Sequence, residues 1–455
     1  MRKQKGGMMR RLNRRAFLGE GSGIVAAGGI SAHASARNRA PGPNDRINLA
    51  MIGCGGRGRY VMRGLIEEKA NLLALCDLRQ DRLDEAWKFL SEVQSTPPRF
   101  SKDAREVLNT KDIDGVVVAT PDHWHAPLAI MACQAGKDVY VEKPHSRNIW
   151  ESGRMVEAAR KYGRIVQVGM QNRSGAYTLA ARDYVRSGKL GKIGLVKVFN
   201  MKSGGPFRLG PSSEPPAGFN WDVWLGSTPK RPYHDDIFEG GWHKFWDFSG
   251  GDMADDGIHQ LDLALMLMGD PGVPRSVRTV GGRYVYPDDD AEVPDVQVSN
   301  WDFGSFLLTF ELTGYPKYMM KTSGTIRRND LLPYWTHNAT RIEIYGSELM
   351  MTVGRHGGGW IVQQSGGGIV DKMYGRPCDE EHYRDFLQSM RSRKPPTADI
   401  SIAHASNLMM HMGNLAQRVG NVSLQFDAAK IQFDNPKANQ LIKPEYRRGY
   451  EIAEV

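Results

Sequence analysis

The sequence predicts an α/β protein in which a doubly wound parallel sheet is followed by an α+β domain with a large, mainly antiparallel open sheet. From residue 46 to residue 170, short apolar runs alternate with helix-length segments, as in parallel strands joined by helical crossovers. The first apolar run ends in a glycine-rich turn. Beyond residue 170, strand-like runs recur at 195–201, 296–303, 305–312 and 341–345 without that regular alternation. We therefore place the domains at 46–170 and 171–455.

The composition is that of a folded protein. The chain has 455 residues, of which 40% are hydrophobic and 24% charged, so it is neither a disordered chain nor a collagen-like fibre. Its four cysteines form no CxxC pair, which argues against a zinc knuckle or a redox dithiol. No apolar run reaches the roughly 18 residues of a membrane-spanning helix.

The amino terminus is predicted to be a targeting segment. Arg14 and Arg15 precede a weakly apolar stretch rich in Gly and Ala, which ends in the small residues 34–36. This order predicts a twin-arginine signal peptide at 1–36 and a linker at 37–45, and with them a protein that is periplasmic or otherwise exported by the twin-arginine pathway. The alternative is a disordered basic tail. Residues 1–36 carry +6 of the net charge of +9, so the rest of the chain is nearly neutral and no nucleic-acid partner is expected.

The first strand, at 46–52, leads into a dinucleotide-binding fingerprint. Gly53, Gly55 and Gly58 satisfy G-x-G-x-x-G, and 60–67 continues as a helix. The first glycine permits a tight turn, the second lets the backbone approach a pyrophosphate, and the third lets the helix pack on the strand. This context predicts a Rossmann fold.

The second strand, at 72–76, ends at Asp77, which lies 19 residues beyond Gly58. An acid at this position accepts hydrogen bonds from the ribose hydroxyls of NAD. Arg79 is close enough to hold a 2′-phosphate, so NADP remains open. We predict NAD as the cofactor, with NADP as the alternative.

The alternation continues through the rest of the first domain. The predicted helices are 81–92, 126–135 and 150–161, and the predicted strands are 114–120, 138–142 and 164–169. Ligands of such sheets bind beyond the carboxyl ends of the strands. The segments 120–125 (TPDHWH) and 142–145 (EKPH) lie at two of these ends.

These two segments and the glycine fingerprint resemble the glucose–fructose oxidoreductase, inositol dehydrogenase and rhizopine catabolism (Gfo/Idh/MocA) family. Segment 249–262, with its glycine pair and its Asp-x-Gly-x-His pattern, is similar to the family's second-domain motif. The resemblance covers residues 46 to about 420. Asp252 departs from the pattern, since the family usually has a third glycine there.

The resemblance implies a sugar-processing homo-oligomer, a dimer or tetramer, with Lys143, Asp255 and His259 as its catalytic residues. Together with the glycine pattern it gives a predicted cofactor-binding set, which is Gly53, Gly55, Gly56, Arg57, Gly58, Asp77, Thr120, Pro121, His125, Glu142, Lys143 and Gln171.

The same three residues suit hydride transfer on chemical grounds. His259, with an ordinary pKa of about 6.5, suits a base that takes a hydroxyl proton near neutral pH. Lys143 is expected to polarise the substrate oxygen, with a pKa lowered by desolvation. Asp255 lies four residues before His259, on the same face of a helix, where it could orient the imidazole or bind a second hydroxyl.

Two further groups are less specific. His123 and His125 lack further ligands in their neighbourhood, so no metal site is predicted. Four tryptophans before the second-domain motif suit either sugar stacking or hydrophobic packing, and these are Trp221, Trp224, Trp242 and Trp246.

The sequence thus predicts an exported, NAD(P)-dependent oxidoreductase acting on a sugar, polyol or glycoside, with its cofactor tightly bound. One alternative is a glycoside-cleaving enzyme that uses transient oxidation by bound NAD. The other is a non-catalytic sugar-binding protein.

Overall fold

The first half of the chain folds around a parallel sheet. The computed structural model describes residues 46–452 and 455, so the signal peptide predicted at 1–36 and the linker predicted at 37–45 lie outside the described residues. Within them, six strands form this sheet: β1 (Asn48–Ile52), β2 (Asn71–Cys76), β3 (Arg99–Ser101), β4 (Gly115–Val118), β5 (Asp138–Val141) and β6 (Val166–Val168). The connecting helices are α1 (Gly56–Glu67), α2 (Gln80–Leu90), α3 (Ala104–Leu108), α4 (His125–Gln134) and α5 (Ile149–Lys161).

The strand order is β3-β2-β1-β4-β5-β6, which confirms the doubly wound sheet. The order reverses between β1 and β4, the point at which such sheets bind dinucleotides. Strand β4 is buried along its whole length, as expected for a parallel strand covered by helices on both faces. Strand β3 was not predicted because its short, mostly exposed sequence has no apolar run.

The second half contains a larger sheet. Ten strands of the described residues form it: β7 (Ile193–Met201), β8 (Ser276–Gly282), β9 (Val296–Asp302), β10 (Leu307–Thr313), β11 (Arg341–Gly346), β12 (Met350–Gly354), β13 (Trp360–Gln363), β14 (Ile369–Met373), β15 (Ser423–Asp427) and β16 (Gln432–Phe433). The helices are α6 (Ala176–Arg186), α7 (Trp221–Leu225), α8 (Asp235–Phe238), α9 (Ile258–Leu267), α10 (Gly324–Arg328), α11 (Asp379–Ser392), α12 (Ile400–Arg418) and α13 (Pro436–Ile442).

This sheet is mainly antiparallel, as predicted, and only β7 and β10 pair in parallel within the described part. Helix α12 packs against one face, where the indole of Trp301 donates to the carbonyl of Met409 at 3.0 Å. Trp301 also leaves no room for a side chain at Gly413. On the other face, the paired residues Val280 and Val298 are exposed.

Helix α11 joins the carboxyl-terminal part of the chain to the Rossmann sheet. Its Tyr383 ring lies on Gly64 of α1, where a Cβ would be 2.3 Å from the ring. The carbonyl of His382 accepts a hydrogen bond of 2.9 Å from Nε2 of Gln167 in β6. Across residues 46–452, no helix is both long and apolar enough to cross a membrane.

Candidate active site

In the glycine-rich turn after β1, two positions have no room for any side chain larger than that of glycine. Gly53 has a φ of +93°, and a Cβ there would lie 2.6 Å from the backbone of Ala119. A Cβ on Gly58 would lie 2.2 Å from the carbonyl oxygen of Gly53. Gly55 and Gly56 face open space instead, because a Cβ on either meets nothing within 4 Å. The first amides of α1 therefore border an opening, as in a pyrophosphate site.

Asp77 lies at the end of β2, beside this turn. Its Oδ2 accepts from the amide of Cys54 at 2.8 Å, and its Oδ1 accepts from the amide of Arg79 at 3.0 Å. Burial raises the pKa of Asp77. The guanidinium of Arg79 binds Asp81 in a bidentate pair of 2.7 and 2.6 Å. Arg79, the cation that could hold the 2′-phosphate of NADP, is thus paired with Asp81, and this favours NAD as the cofactor.

The loop after β4 is tied to the loop after β5 by His125. One ring nitrogen of His125 contacts the carbonyl of Thr120 at 2.8 Å, and the other contacts that of Pro144 at 2.7 Å. The hydroxyl of Thr120 is buried without a hydrogen-bond partner among the described residues. Pro121 begins the short 3₁₀ turn that leads to His125. His125 therefore positions the residue next to Pro144, which is Lys143.

His123 has a structural contact instead. Its Nε2 lies 2.8 Å from the carbonyl of Trp224, and burial lowers its pKa to about 3. Trp224 in turn stacks on Trp221, with ring centroids 4.4 Å apart, inside a buried aromatic cluster. Of the two roles left open for the tryptophans, this pair serves packing. Among residues 46–452, no group of three or more His, Cys, Asp and Glu side chains is arranged to hold a metal ion.

Glu142, Arg57 and Gln171 meet at the end of β5. The Nε atom of Arg57 donates to Oε1 of Glu142 at 2.7 Å. In the orientation that satisfies its neighbours, the side-chain oxygen of Gln171 accepts from the hydroxyl of Tyr140 and from Arg57. The Glu142 carboxylate lies so close to Gly169 that a Cβ there would be 2.8 Å away. The first turn of α1 is thereby connected to the strand end that carries Lys143.

Lys143 binds Asp255 from the second half of the chain. Its Nζ donates to Oδ1 of Asp255 at 2.9 Å and also to the Asp255 carbonyl. The prediction that desolvation lowers the pKa of Lys143 is wrong. Burial does act to lower this pKa, but the surrounding carboxylates, of which Asp255 has the largest effect, outweigh burial and raise the pKa. For Asp255, the cations Lys143 and Lys202 outweigh burial and hold the pKa below its usual range.

His259 lies on α9, just after a single π-helical turn at Met253–Gly257. Burial, followed by the positive charges of Arg355 and Lys143, lowers the pKa of His259 well below the predicted value near 6.5. The imidazole is therefore neutral at neutral pH. Of the two roles predicted for Asp255, orienting this ring is not met, since no hydrogen bond joins the two side chains among the described residues and Asp255 binds Lys143. Binding of a second substrate hydroxyl stays a prediction.

A cluster of charged residues that sequence reasoning missed surrounds this pair. Lys202, just beyond β7, lies 3.3 Å from Asp252 and 3.6 Å from Asp256. Lys321 lies 2.5 Å from Asp256, and Arg355 lies 3.7 Å from it. Asp252, which stands where the family usually has a glycine, thus provides an ion-pair partner for Lys202. The adjacent acids were the only local signal, because their cations come from distant loops.

Comparison with known proteins agrees with this geometry. Residues 47–170 match the oxidoreductase family with an NAD-binding Rossmann fold, and residues 197–288 and 367–452 match the C-terminal alpha/beta domain of that family. The chain belongs to the Gfo/Idh/MocA oxidoreductase family. The chain is similar over 207 residues to the glycosyl hydrolase family 109 protein 1 of Shewanella sp. (strain ANA-3), at 29% identity. It is 28% identical over 207 residues to the alpha-N-acetylgalactosaminidase of Shewanella oneidensis. Both alignments cover 41% of this chain and 45% of the relative, so the chain spans less than half the length of these curated relatives.

Solved structures show the same fold. Levoglucosan dehydrogenase, in complex with NADH and levoglucosan, superposes with a TM-score of 0.62 and 17% identity, over 84% of this chain and 99% of that one. The aldose-aldose oxidoreductase of Caulobacter crescentus, complexed with glycerol, superposes with a TM-score of 0.61 and 20% identity, over 84% and 100%.

The described residues fit the NAD that this Gfo/Idh/MocA fold binds. The open side of Gly55 and Gly56 leaves room at the helix start, and the unpartnered hydroxyl of Thr120 provides a hydrogen-bonding group. Asp77 lies beside the turn for the ribose hydroxyls. We therefore assign NAD as the cofactor.

Proposed function

We propose that this protein is an exported oxidoreductase that transfers hydride between a tightly bound nicotinamide dinucleotide and a hydroxyl or carbonyl group of a sugar, polyol or glycoside. The observation that carries the proposal is the pairing of the Lys143 ammonium with Asp255, electrostatically close to a neutral His259. The two solved structures named above, one of them titled as a complex with NADH and levoglucosan, support a carbohydrate substrate.

The chain's own residues divide the work at the substrate oxygen. When bound, the nicotinamide ring accepts or supplies the hydride. In the oxidation, the hydroxyl proton passes to the imidazole of His259, which is neutral and has no hydrogen-bond partner among the described side chains, although its lowered pKa makes it a weaker base than an ordinary histidine. The Lys143 ammonium stabilises the negative charge that develops on the oxygen. Asp255 keeps that ammonium charged and in place.

The proposal includes a closed redox cycle. The twin-arginine pattern supports export of a folded protein with its cofactor inserted. No nicotinamide pool is maintained outside the cytoplasm, so a bound cofactor has to be reoxidised in place. Either a second carbonyl compound accepts the hydride, or the same substrate takes it back.

The first experiment is to denature the purified, exported protein and to identify what it releases by absorbance and mass. Stoichiometric NAD supports the proposal, and NADP in its place would contradict the assignment of NAD. An empty protein that also fails to bind added NAD or NADP would overturn the mechanism. Sugars and glycosides are then screened without added cofactor, with Lys143→Met as the inactive control.

A second candidate is a glycoside hydrolase that oxidises its substrate transiently. The names of the two Shewanella relatives favour it. A free sugar and a free aglycone, formed without net redox change, would identify this activity. An oxidised sugar with a reduced acceptor identifies the oxidoreductase. Binding of sugars without any turnover would instead identify the non-catalytic sugar-binding protein.

We also propose that the protein is a homo-oligomer, a dimer or tetramer. The exposed pair Val280 and Val298 on the open face of the large sheet supports this, because burial of exposed apolar side chains against another copy is stabilising. Light scattering of the purified protein tests it. A monomer at micromolar concentration would contradict the proposal.

A further inference from the structure

Positive charge exceeds negative charge around the substrate side of Lys143. Among the described residues, six cationic side chains, which are Lys143, Lys202, Lys244, Lys321, Arg327 and Arg355, surround three carboxylates, which are Asp252, Asp255 and Asp256. Two further carboxylates lie nearby: Glu142 is bound by Arg57, and Asp379, which also acts on Arg327, lies 3.9 Å from the same Arg57. Asp122 does not restore the balance at neutral pH, because burial raises its pKa to about 8. Lys202 and Arg355 are largely buried, and unbalanced buried charge is costly, so this excess favours the binding of an anion.

Arg355 is the most firmly placed of these cations. Its amide donates to the carbonyl of Thr340 at 3.1 Å. Its carbonyl accepts from Nδ2 of Asn172 at 2.8 Å and from the hydroxyl of Tyr177 at 3.2 Å. The turn that follows consists of three glycines with positive φ, at 357–359, which fold the chain back toward β13. The backbone of Arg355 is therefore fixed before any ligand binds.

The guanidinium of Arg355 has donors left over. It contacts the neighbouring His356, whose other ring nitrogen lies 2.9 Å from the hydroxyl of Thr340. Asp256 is 3.7 Å away, too far for a hydrogen bond. The Nε atom is buried and has no partner among the described residues. A planar guanidinium with free donors matches the paired oxygens of a carboxylate or a phosphate.

The same group of cations adjoins the reacting residues. Arg355 is close enough to His259 to lower its pKa, and close enough to Arg327 to lower that pKa as well. Asp256 connects Arg355 to Lys202, which also lies 3.7 Å from Asp255, the partner of Lys143. An anionic group bound by Arg355 would therefore belong to the same substrate molecule whose hydroxyl group lies at Lys143 and His259.

Most of these additional cations come from a part of the chain outside the family match. Lys321, Arg327 and Arg355 lie in 289–366, between the two matched ranges of the second domain. Lys321 lies between β10 and β11, Arg327 lies on α10, and Arg355 follows β12. These three cations are therefore not among the residues that the family match covers.

We propose that Arg355, supported by Lys321 and Lys202, binds an anionic group of the substrate, so that sugars bearing a carboxylate or a phosphate are the preferred substrate class. This rests on the proposed function, since it assumes that a sugar binds beside Lys143. The shared chemistry is a pair of anionic oxygens on a sugar ring. A uronic acid and a sugar phosphate are its two sources.

The test compares three probes on the nucleotide-loaded protein by calorimetry: D-glucuronate, D-glucose 6-phosphate and D-glucose. We expect at least one acidic sugar to bind about tenfold or more tightly than glucose, because charge-assisted hydrogen bonds are stronger than neutral ones. Tighter binding of glucuronate identifies a carboxylate as the group, and tighter binding of the phosphate identifies a phosphate. Equal binding of all three, or binding of none, overturns the inference.

Variants separate specific recognition from general attraction. Arg355→Gln should remove the preference for the acidic sugar over glucose, whereas Arg355→Lys should retain part of it. Arg328→Gln is the matched control, because the substitution removes the same charge. Arg328 is exposed and lies on the same short helix as Arg327. Thermal melting checks that each variant is folded. If Arg328→Gln weakens binding as much as Arg355→Gln does, the inference is overturned.

The outcome also distinguishes this inference from the proposed function. If neutral sugars reduce the bound nucleotide as well as acidic ones do, the oxidoreductase stands and the anion site is wrong. If the protein contains no nucleotide and binds none when it is added, the proposed function is wrong. That measurement of nucleotide binding does not depend on Arg355.

Discussion

The Nζ atom of Lys143 lies 2.9 Å from Oδ1 of Asp255, although 112 residues separate the two in the sequence. The lysine follows a strand of the Rossmann sheet, and the aspartate belongs to the π-helical turn before α9. This contact joins the nucleotide-binding half of the chain to the half that carries His259. It also explains why the lysine stays charged despite its burial.

Replacing Lys143 with Met should lower kcat/KM by about 10²–10⁴-fold, because the group that stabilises charge on the substrate oxygen is lost. Nucleotide should still be released on denaturation, since the start of α1 and Asp77 remain to bind it. Steady-state kinetics and absorbance of the released nucleotide measure the two effects. The control is Lys372→Met, which removes an exposed lysine of β14. Full activity of the Lys143 variant would contradict the assigned role.

Adding a methyl group at Gly55 should abolish nucleotide binding without destabilising the protein. Gly55 has a φ of −67°, which alanine adopts readily, and a Cβ there meets open space on the cofactor side. Equilibrium dialysis with NAD and thermal melting measure binding and stability.

Two other glycines provide controls for Gly55→Ala. Gly58→Ala should destabilise the fold, because its Cβ would overlap the carbonyl of Gly53. Gly153→Ala places a methyl group in open space on α5 and should stabilise the helix by about 0.5–1 kcal/mol. Normal NAD binding by Gly55→Ala would place the cofactor elsewhere.

Replacing Asp77 with Ala should weaken NAD binding by about tenfold and reduce the preference over NADP, because a hydrogen-bond acceptor for the ribose is removed. Binding of NAD and NADP to the apoprotein measures both. Asp84→Ala is the control, as Asp84 is an exposed acid on α2. An unchanged ratio of the two affinities would show that Asp77 supports only the turn.

Stability should fall as the pH drops below about 6.5, because buried histidines are neutral in the folded state and protonate on unfolding. Burial lowers the pKa of His123, His382 and His411 to about 3. Each folded pKa is below the unfolded value of about 6.5, so the unfolded state binds more protons between about pH 6.5 and 3. Each such histidine costs up to about 1.4 kcal/mol per pH unit in this window.

Urea unfolding at a series of pH values measures this slope. His382→Gln should make it shallower, since one protonating group is removed. The control is His337→Gln, which replaces an exposed histidine by the same residue. A free energy of unfolding that stays constant from about pH 7 to about pH 4 would rule out this explanation.

The Rossmann half was predictable because its signals are local. A strand such as β4 is buried on both faces and is therefore uniformly apolar, and the glycines at 53 and 58 are required by contacts within the turn and with the neighbouring strand. The second sheet was predictable only in part. Strands β8 and β12 to β16 were missed, since β14 is mostly exposed and antiparallel pairing depends on partners far along the chain.

The sequence by itself determined the fold class, the dinucleotide turn and the presence of Lys143 at the end of a strand, because residue periodicity and the chemistry of strand ends are local properties. The tertiary structure decided which carboxylate binds Lys143, whether His259 carries a proton, and which cations surround Asp256. These depend on burial and on charges from segments distant in sequence, and both effects shift a pKa only once the segments have packed together. Asp255 therefore holds the lysine rather than the histidine, an arrangement that the spacing of four residues could not reveal.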